Sequence, residues 1–201
     1  MTVLFEVNKA GKHYEVRKAG ASLRLYTNGA FHSQWNKTHV FGGAVWDLLS
    51  LPILLRAKPT DHILMLGVGG GASLNQLRFL LPNVELTGVD IDAMHLRIAK
   101  DYFGVNHPRT LLVCQDALAF VDQNQARFDV VIDDLYSDAL GDPVHPAKNE
   151  SGWTEDTLSL LLADGLLIKN HLDAHSARHW LNTHRPLIKR TFANCLNFSA
   201  S

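Results

Sequence analysis

Over the first thirty-five residues, apolar and polar positions alternate in short runs broken by glycine. Leu4-Phe5-Glu6-Val7 leads into the turn Asn8-Lys9-Ala10-Gly11. His13-Tyr14-Glu15-Val16-Arg17 alternates up to Lys18-Ala19-Gly20. Ser22-Leu23-Arg24-Leu25-Tyr26 alternates up to Asn28-Gly29, and Phe31 to Trp35 supplies a returning strand. A period of two between such turns predicts antiparallel hairpins. Strands this few and short need a partner surface, so they are expected to pack on the rest of the chain.

From Val40 the period changes. Val40 to Leu55 has helical spacing and stops before Lys58-Pro59. Strand and helix then take turns. Strands are predicted at 63–66, 84–89, 111–114, 128–132 and 165–169, and helices at 72–80, 93–102, 117–123, 154–162 and 175–187. "ILML" and "VVI" are continuous apolar runs, as strands buried on both faces should be. The alternation predicts an α/β fold, a doubly wound, mostly parallel Rossmann-like sheet with helices on both faces. A small N-terminal antiparallel β segment, 1–39, precedes a nucleoside-binding domain, 40–201. "ANCLNFSAS" offers one further strand. Leu135 to Trp153 is long, polar and proline-containing, and reads as a functional loop.

Composition narrows the partners. The 201 residues are 46% hydrophobic and 19% charged, with a formal net charge of -1. No global basic field favours nucleic acid, and no apolar stretch is long enough to span a bilayer. "MTVLFEVNKAGKHYEV" lacks the basic and apolar regions of a signal peptide, and two cysteines without CxxC spacing suit reduced thiols. The expectation is a cytoplasmic protein with a small-molecule substrate, without nucleic acid or membrane partners. Cys114, inside an apolar strand, is expected to be a buried, inert thiol. His171, His175 and His179 recur every four residues, but Asp173 is expected to cap the helix after His171, so no metal is expected.

The candidate site lies in "HILMLGVGGGASLNQL". Gly67, Gly69, Gly70 and Gly71 fall within five residues between a strand and a helix. Such a loop turns tightly, lets a ligand touch the main chain, and is expected to offer it free N–H groups from the next helix. Asp90 ends the second strand about 20 residues on, where an acid accepts from a ribose diol. Asp92 is expected to cap the following helix. Gln115 and Asp116 end the third strand, where a carboxylate takes an adenine amine and the glutamine supports it. Asp133 and Asp134 end the fourth. The loop also fits the dinucleotide pattern G-x-G-x-x-G/A, but so many carboxylates disfavour a pyrophosphate. They suit a ligand carrying ribose, adenine and a positive charge.

The order "ILMLGVGGGASLNQL", "VELTGVDIDAMHLRIAKDYF", "LLVCQDALAFVDQNQARFDVVIDDLYSD" resembles the spermidine synthase (polyamine aminopropyltransferase) family, within the class I S-adenosylmethionine-dependent methyltransferase fold. The resemblance covers Asp61 to Lys169, and that family also begins with a small β domain. It implies that the Gly67–Gly71 loop holds a sulfonium nucleoside, Asp90 its ribose and Asp116 its adenine. It further implies that Asp134 receives the acceptor amine's proton, that Gln34 contacts the nucleoside, and that His39 stands near the acceptor. It implies a possible homodimer. Four departures stand out. The loop acid of "GGGDGG" is Gly70, and no acid follows His39. "DDLYSDALGDP" replaces "DSSDP", and Asn170 or His171 takes the place of a glutamine.

Three readings are open. In the first, an aminopropyl group passes from decarboxylated S-adenosylmethionine to a polyamine such as putrescine. Asp134 is the base, Asp133 or Asp138 orients the diamine, and Tyr136 or Trp153 packs on its methylenes. In the second, the donor is intact S-adenosylmethionine, whose carboxylate suits the absence of an acid at Gly70, and a methyl group passes to an unread acceptor. In the third, the chain is a non-catalytic nucleoside-binding homologue.

Overall fold

The computed structural model describes residues 1–136, 145–147 and 150–199, the last beginning with Glu150 as backbone alone. Asp138 falls outside the described residues. Four antiparallel strands come first: β1 (Thr2–Lys9), β2 (Lys12–Ala19), β3 (Ser22–Thr27) and β4 (Ala30–Trp35), paired in chain order. Their turns use the glycines the pattern marked, with Gly11, Gly20 and Gly29 all at positive φ. Pairing shifts register between Val3 and Phe5 of β1 and again near the end of β3. Leu25 faces Ser33 and Tyr26 faces Phe31, so His32 is a bulge residue in β4.

The stretch 40–55 is only partly α-helical. Helix α1 spans Val45–Ser50, and Pro52 tightens the next turn into a 3-10 segment, Leu51–Leu55. Beyond it the chain alternates: β5 (His62–Leu66), α2 (Ala72–Leu80), β6 (Glu85–Asp90), α3 (Ala93–Asp101), β7 (Thr110–Cys114), α4 (Ala117–Gln123), β8 (Phe128–Asp133), α5 (Glu150–Ser159), β9 (Leu161–Lys169), α6 (Ala174–Thr183) and α7 (Arg185–Thr191). The second sheet has the order β7-β6-β5-β8-β9, and every pair is parallel.

Three expectations are corrected. The predicted helix 175–187 is two helices: Pro186, at the start of α7, cannot donate to a continuing helix, and the break falls at His184. Strand β9 begins at Leu161, inside the predicted helix 154–162, because the apolar run Leu160-Leu161-Leu162 suits either period. Residues 192–199 form no strand.

Successive strand residues face opposite sides of the parallel sheet, so its core is two clusters. Ile63 and Met65 face one side with Leu74, Leu77 and Phe103, and there Tyr14, Val16, Leu25 and Trp35 of the small sheet join them. Leu64 and Leu66 face the other with Val131, Trp153 and Leu160. The small sheet is thus a working part of the first core. The chain winds outward from β5 to β7, then returns to place β8 on β5's free side. The strand order reverses between β5 and β8, which is where ligands bind in such sheets. Among the described residues no helix is long and apolar enough to cross a membrane.

Candidate active site

The glycine loop leaves β5 at that reversal. Gly67 has φ +87, and a Cβ there would overlap the backbone carbonyl of Asp134. The position must be glycine for the ends of β5 and β8 to meet. The loop's own amides are used within the protein. Val68 and Gly69 donate to Asp90 Oδ2 at 3.0 and 2.9 Å, Gly70 donates to Ser33 Oγ at 3.1 Å, and Gly71 donates to the Val68 carbonyl at 2.8 Å. With Asp90 on the Val68 and Gly69 amides, the loop meets a pyrophosphate with a carboxylate rather than with open donors.

Asp90 is 8% exposed and also accepts from the Asp92 amide at 2.8 Å through Oδ1. Burial alone would raise its pKa. His95, 3.8 Å away, and the amides of Asp92 and Gly69 outweigh that and hold the carboxyl below the usual range. A carboxylate has about four lone-pair directions, so Asp90 retains capacity for a ribose hydroxyl. Asp92 caps α3, as expected, through the amides of Met94 and His95. It also accepts from Lys12 Nζ and Tyr14 Oη, each at 2.8 Å. Burial opposes its ionisation, but Lys12, His95 and Tyr14 bring its pKa down to about 2.

Gln115 and Asp116 follow β7 at the same edge, with the Gln115 amide donating to the Asp90 carbonyl at 3.1 Å. Asp116 is exposed and caps α4 by accepting from Leu118 N at 2.8 Å. Gln115 turns back along α4 to Gln123, 3.2 Å away. Cys114 is exposed, not buried, because β7 is the sheet's edge strand.

At the end of β8, two neighbouring carboxylates have different fates. Asp134 is half-buried beside the loop, and Asn170 donates to its Oδ1 at 2.8 Å. Burial raises its pKa, the Asn170 hydrogen bond pulls it back, and the charges of Asp133 and Asp90 raise it again, to about 7. Asp133 is 2% exposed and lies within a closed cluster. Lys169 Nζ donates to it at 2.6 Å, Trp153 Nε1 at 2.8 Å, and His145 Nε2 lies at 3.1 Å. Burial works against its charge, but His145 and Lys169 hold it well below the ordinary carboxylate range.

These contacts sort the remaining candidates. Asp133 is saturated by protein partners, and Trp153 is 4% exposed in the second core, so neither meets an acceptor. Tyr136 is half-buried and donates to the Asn170 carbonyl at 2.8 Å, which keeps it beside Asp134. Gln34 accepts from its cross-strand neighbour Arg24 at 2.7 Å and does not touch the loop. The preceding residue, Ser33, does. Pairs one residue apart face opposite sides of a sheet, so the β-domain contact belongs to Ser33. His39 is exposed, and its bonds are local, to Thr38 and Asn36. Gly70 has no room for the missing acid: a Cβ there would lie 2.8 Å from Ser33 Cβ and 3.0 Å from Phe103.

Sequence reasoning passed over Ser33, His95, His145 and Lys169. Only Lys169 carries a sequence signal, a cation ending the apolar run "GLLIK", where burial demands a counter-charge. Among the described residues the one grouping of metal-ligating side chains is Glu6, His13 and Glu15 on the β1–β2 hairpin. There Arg17 already pairs with Glu15 and His13 with Glu6.

Known proteins resemble this chain in sequence and fold. A polyamine aminopropyltransferase from Saccharolobus islandicus is 31% identical over 139 residues, which cover 66% of this chain and 43% of that protein. The match spans less than half of that relative's length. A probable spermidine synthase from Corynebacterium glutamicum superposes with a TM-score of 0.70 at 18% identity, over 96% of this chain and 72% of its own, and shares the fold. Human methyltransferase-like protein 13, in complex with SAH, superposes with a TM-score of 0.56 at 26% identity, over 69% of this chain and 67% of its own. The family model described as the spermine/spermidine synthase domain matches residues 47–200, and the chain belongs to that family.

Proposed function

We propose that the chain is a transferase that takes a sulfonium nucleoside as donor and moves an aminopropyl group from decarboxylated S-adenosylmethionine to a polyamine such as putrescine. The observation that carries this reading is Asp134, a carboxyl raised to about 7 and fixed by Asn170 beside the glycine loop. A base titrating near the working pH removes a proton efficiently and returns it to solvent afterwards. The amine nitrogen attacks the carbon attached to the sulfonium sulfur. The C–S bond breaks, its electrons stay on sulfur as a neutral thioether, 5′-methylthioadenosine, and the ammonium proton passes to Asp134. Asp90 takes the ribose diol and Asp116, supported by Gln115, the adenine. Tyr136 borders the acceptor. The Gly67–Gly71 loop shapes the floor under the nucleoside by close backbone approach, since its amides are already used. None of these steps calls for a metal.

One observation favours a second reading, methyl transfer from intact S-adenosylmethionine. Ser33 and Phe103 close the space at Gly70, so no acid stands there to repel the carboxylate of the intact donor. Parallel titration calorimetry with both donors decides between them, followed by incubation with putrescine and detection of thioether product. Tighter binding of the decarboxylated donor and release of 5′-methylthioadenosine supports aminopropyl transfer. Preference for the intact donor, with S-adenosylhomocysteine as the tighter product, moves the chemistry to methyl transfer. Binding of neither donor refutes the sulfonium reading.

A further inference from the structure

Three consecutive strands of the small sheet each send one residue to His95, in the first turn of α3. Thr27, at the end of β3, lies with its hydroxyl 2.8 Å from His95 Nε2. The Tyr14 ring from β2 meets the imidazole edge-on at 5.8 Å, and the bulge residue His32 of β4 packs on it at 5.0 Å. Thr27 is 2% exposed and His95 7%. The other ring nitrogen, Nδ1, stands 3.8 Å from Asp90 Oδ2, the oxygen that accepts from Val68 and Gly69. The charged and titratable groups around the ring are Asp90 from β6, Asp92 before α3, and Tyr14 and His32 from the small sheet. Lys12 is engaged with Asp92.

We propose that His95 is a positioning residue. Held through Nε2 by the small sheet, it fixes through Nδ1 the Asp90 carboxylate that grips the glycine loop, and so sets that carboxylate for a ribose diol. A buried imidazole presents two nitrogens at a fixed angle, one to each neighbour. With the Nδ1 proton directed at Asp90, Nε2 accepts from the Thr27 hydroxyl, so the Thr27 contact selects the tautomer that serves Asp90. Without it Asp90 keeps its amide partners but loses the imidazole edge beside Oδ2. The inference rests on the reading of Asp90 as the ribose contact.

The test uses His95→Phe, which keeps the ring volume, His95→Asn, whose amide nitrogen overlays Nδ1, and His95→Gln, whose amide nitrogen overlays Nε2. Two readouts are taken on each folded variant: exchange of the Val68 and Gly69 amides, and the Kd for 5′-methylthioadenosine. In His95→Phe and His95→Gln, amide protection and nucleoside affinity should each fall about tenfold, and His95→Asn should stay within about threefold of wild type. Wild-type protection in His95→Phe, or equal behaviour of the Asn and Gln variants, overturns the proposal. If protection follows the expected pattern while wild type binds no nucleoside, the positioning role stands and the ribose reading fails.

Discussion

Asp133 and Asp134 are consecutive residues on one strand end, yet they face opposite sides of the sheet and carry opposite electrostatic burdens. Asp133 turns toward α5 and β9, where Lys169, Trp153 and His145 supply donors at 2.6 to 3.1 Å. Burial there is offset, the charge is permanent, and the group ties three segments together. Asp134 turns toward the glycine loop and receives one neutral hydrogen bond, from Asn170, with two like charges nearby. Burial there is not offset, and the carboxyl stays poised to exchange a proton. Neighbouring titratable groups driven apart in this way separate a structural acid from a reactive one.

The largest expected effect tests Asp134 as the proposed base. Asp134→Asn keeps the acceptor for Asn170 but removes the base, and turnover should fall about 10²- to 10⁴-fold with donor affinity little changed. Steady-state kinetics together with calorimetry separate the two, and a variant of unchanged turnover ends the assignment. Next comes the structural member. Lys169→Met leaves the Asp133 carboxylate buried without its cation and should cost about 3–5 kcal/mol in urea denaturation. A loss under about 1 kcal/mol would show that His145 and Trp153 alone carry the charge.

A third test reads the contrast through pH. The carboxyl of Asp134 titrates higher in the folded chain, about 7, than at its ordinary 3.8. Its protonated form therefore favours folding, and that contribution is full below about pH 4 and lost as pH rises through about 7. Asp134→Asn should match wild type at pH 4 and exceed it at pH 8 by about 2–4 kcal/mol, measured as the difference in thermal unfolding. The same group should give kcat/KM a limb centred near pH 7 that the variant lacks. The smallest effect sharpens the comparison. Asn170→Ala removes the one contact that favours the Asp134 anion, so the limb should move to higher pH and activity at pH 7 should drop about threefold.

Much of the scaffold was legible because local chemistry marked it. Helix α2 begins after Gly71 and α4 after Asp116, as the spacing predicts, since a left-handed glycine and a capping carboxylate are local devices. The strand–helix alternation gave the reversal point, and with it the loop, Asp90 and Asp134. What stayed hidden depended on which way a side chain faces. Gln34 and Ser33 differ by one residue, and only the sheet's docking and the His32 bulge decide which meets the loop. Asp133 and Asp134 look alike until β9 brings Lys169 and Asn170 beside them. His95 reads as an ordinary first-turn residue, because its partners Thr27 and Asp90 are far away in sequence or spaced without a motif.

The docking of the small sheet also orders the chain's life before it is whole. Ribosomes release Tyr14, Val16, Leu25 and Trp35 first, but the residues that cover them, from Leu49 to Phe103, come later. The hairpins therefore emerge with an apolar face ahead of the residues that cover it. Gly70 cannot find Ser33, nor His95 find Thr27, until the following βαβ unit has left the exit tunnel. The small sheet is made before the segment that covers it, and the glycine loop is completed by a contact from residues synthesised ahead of it.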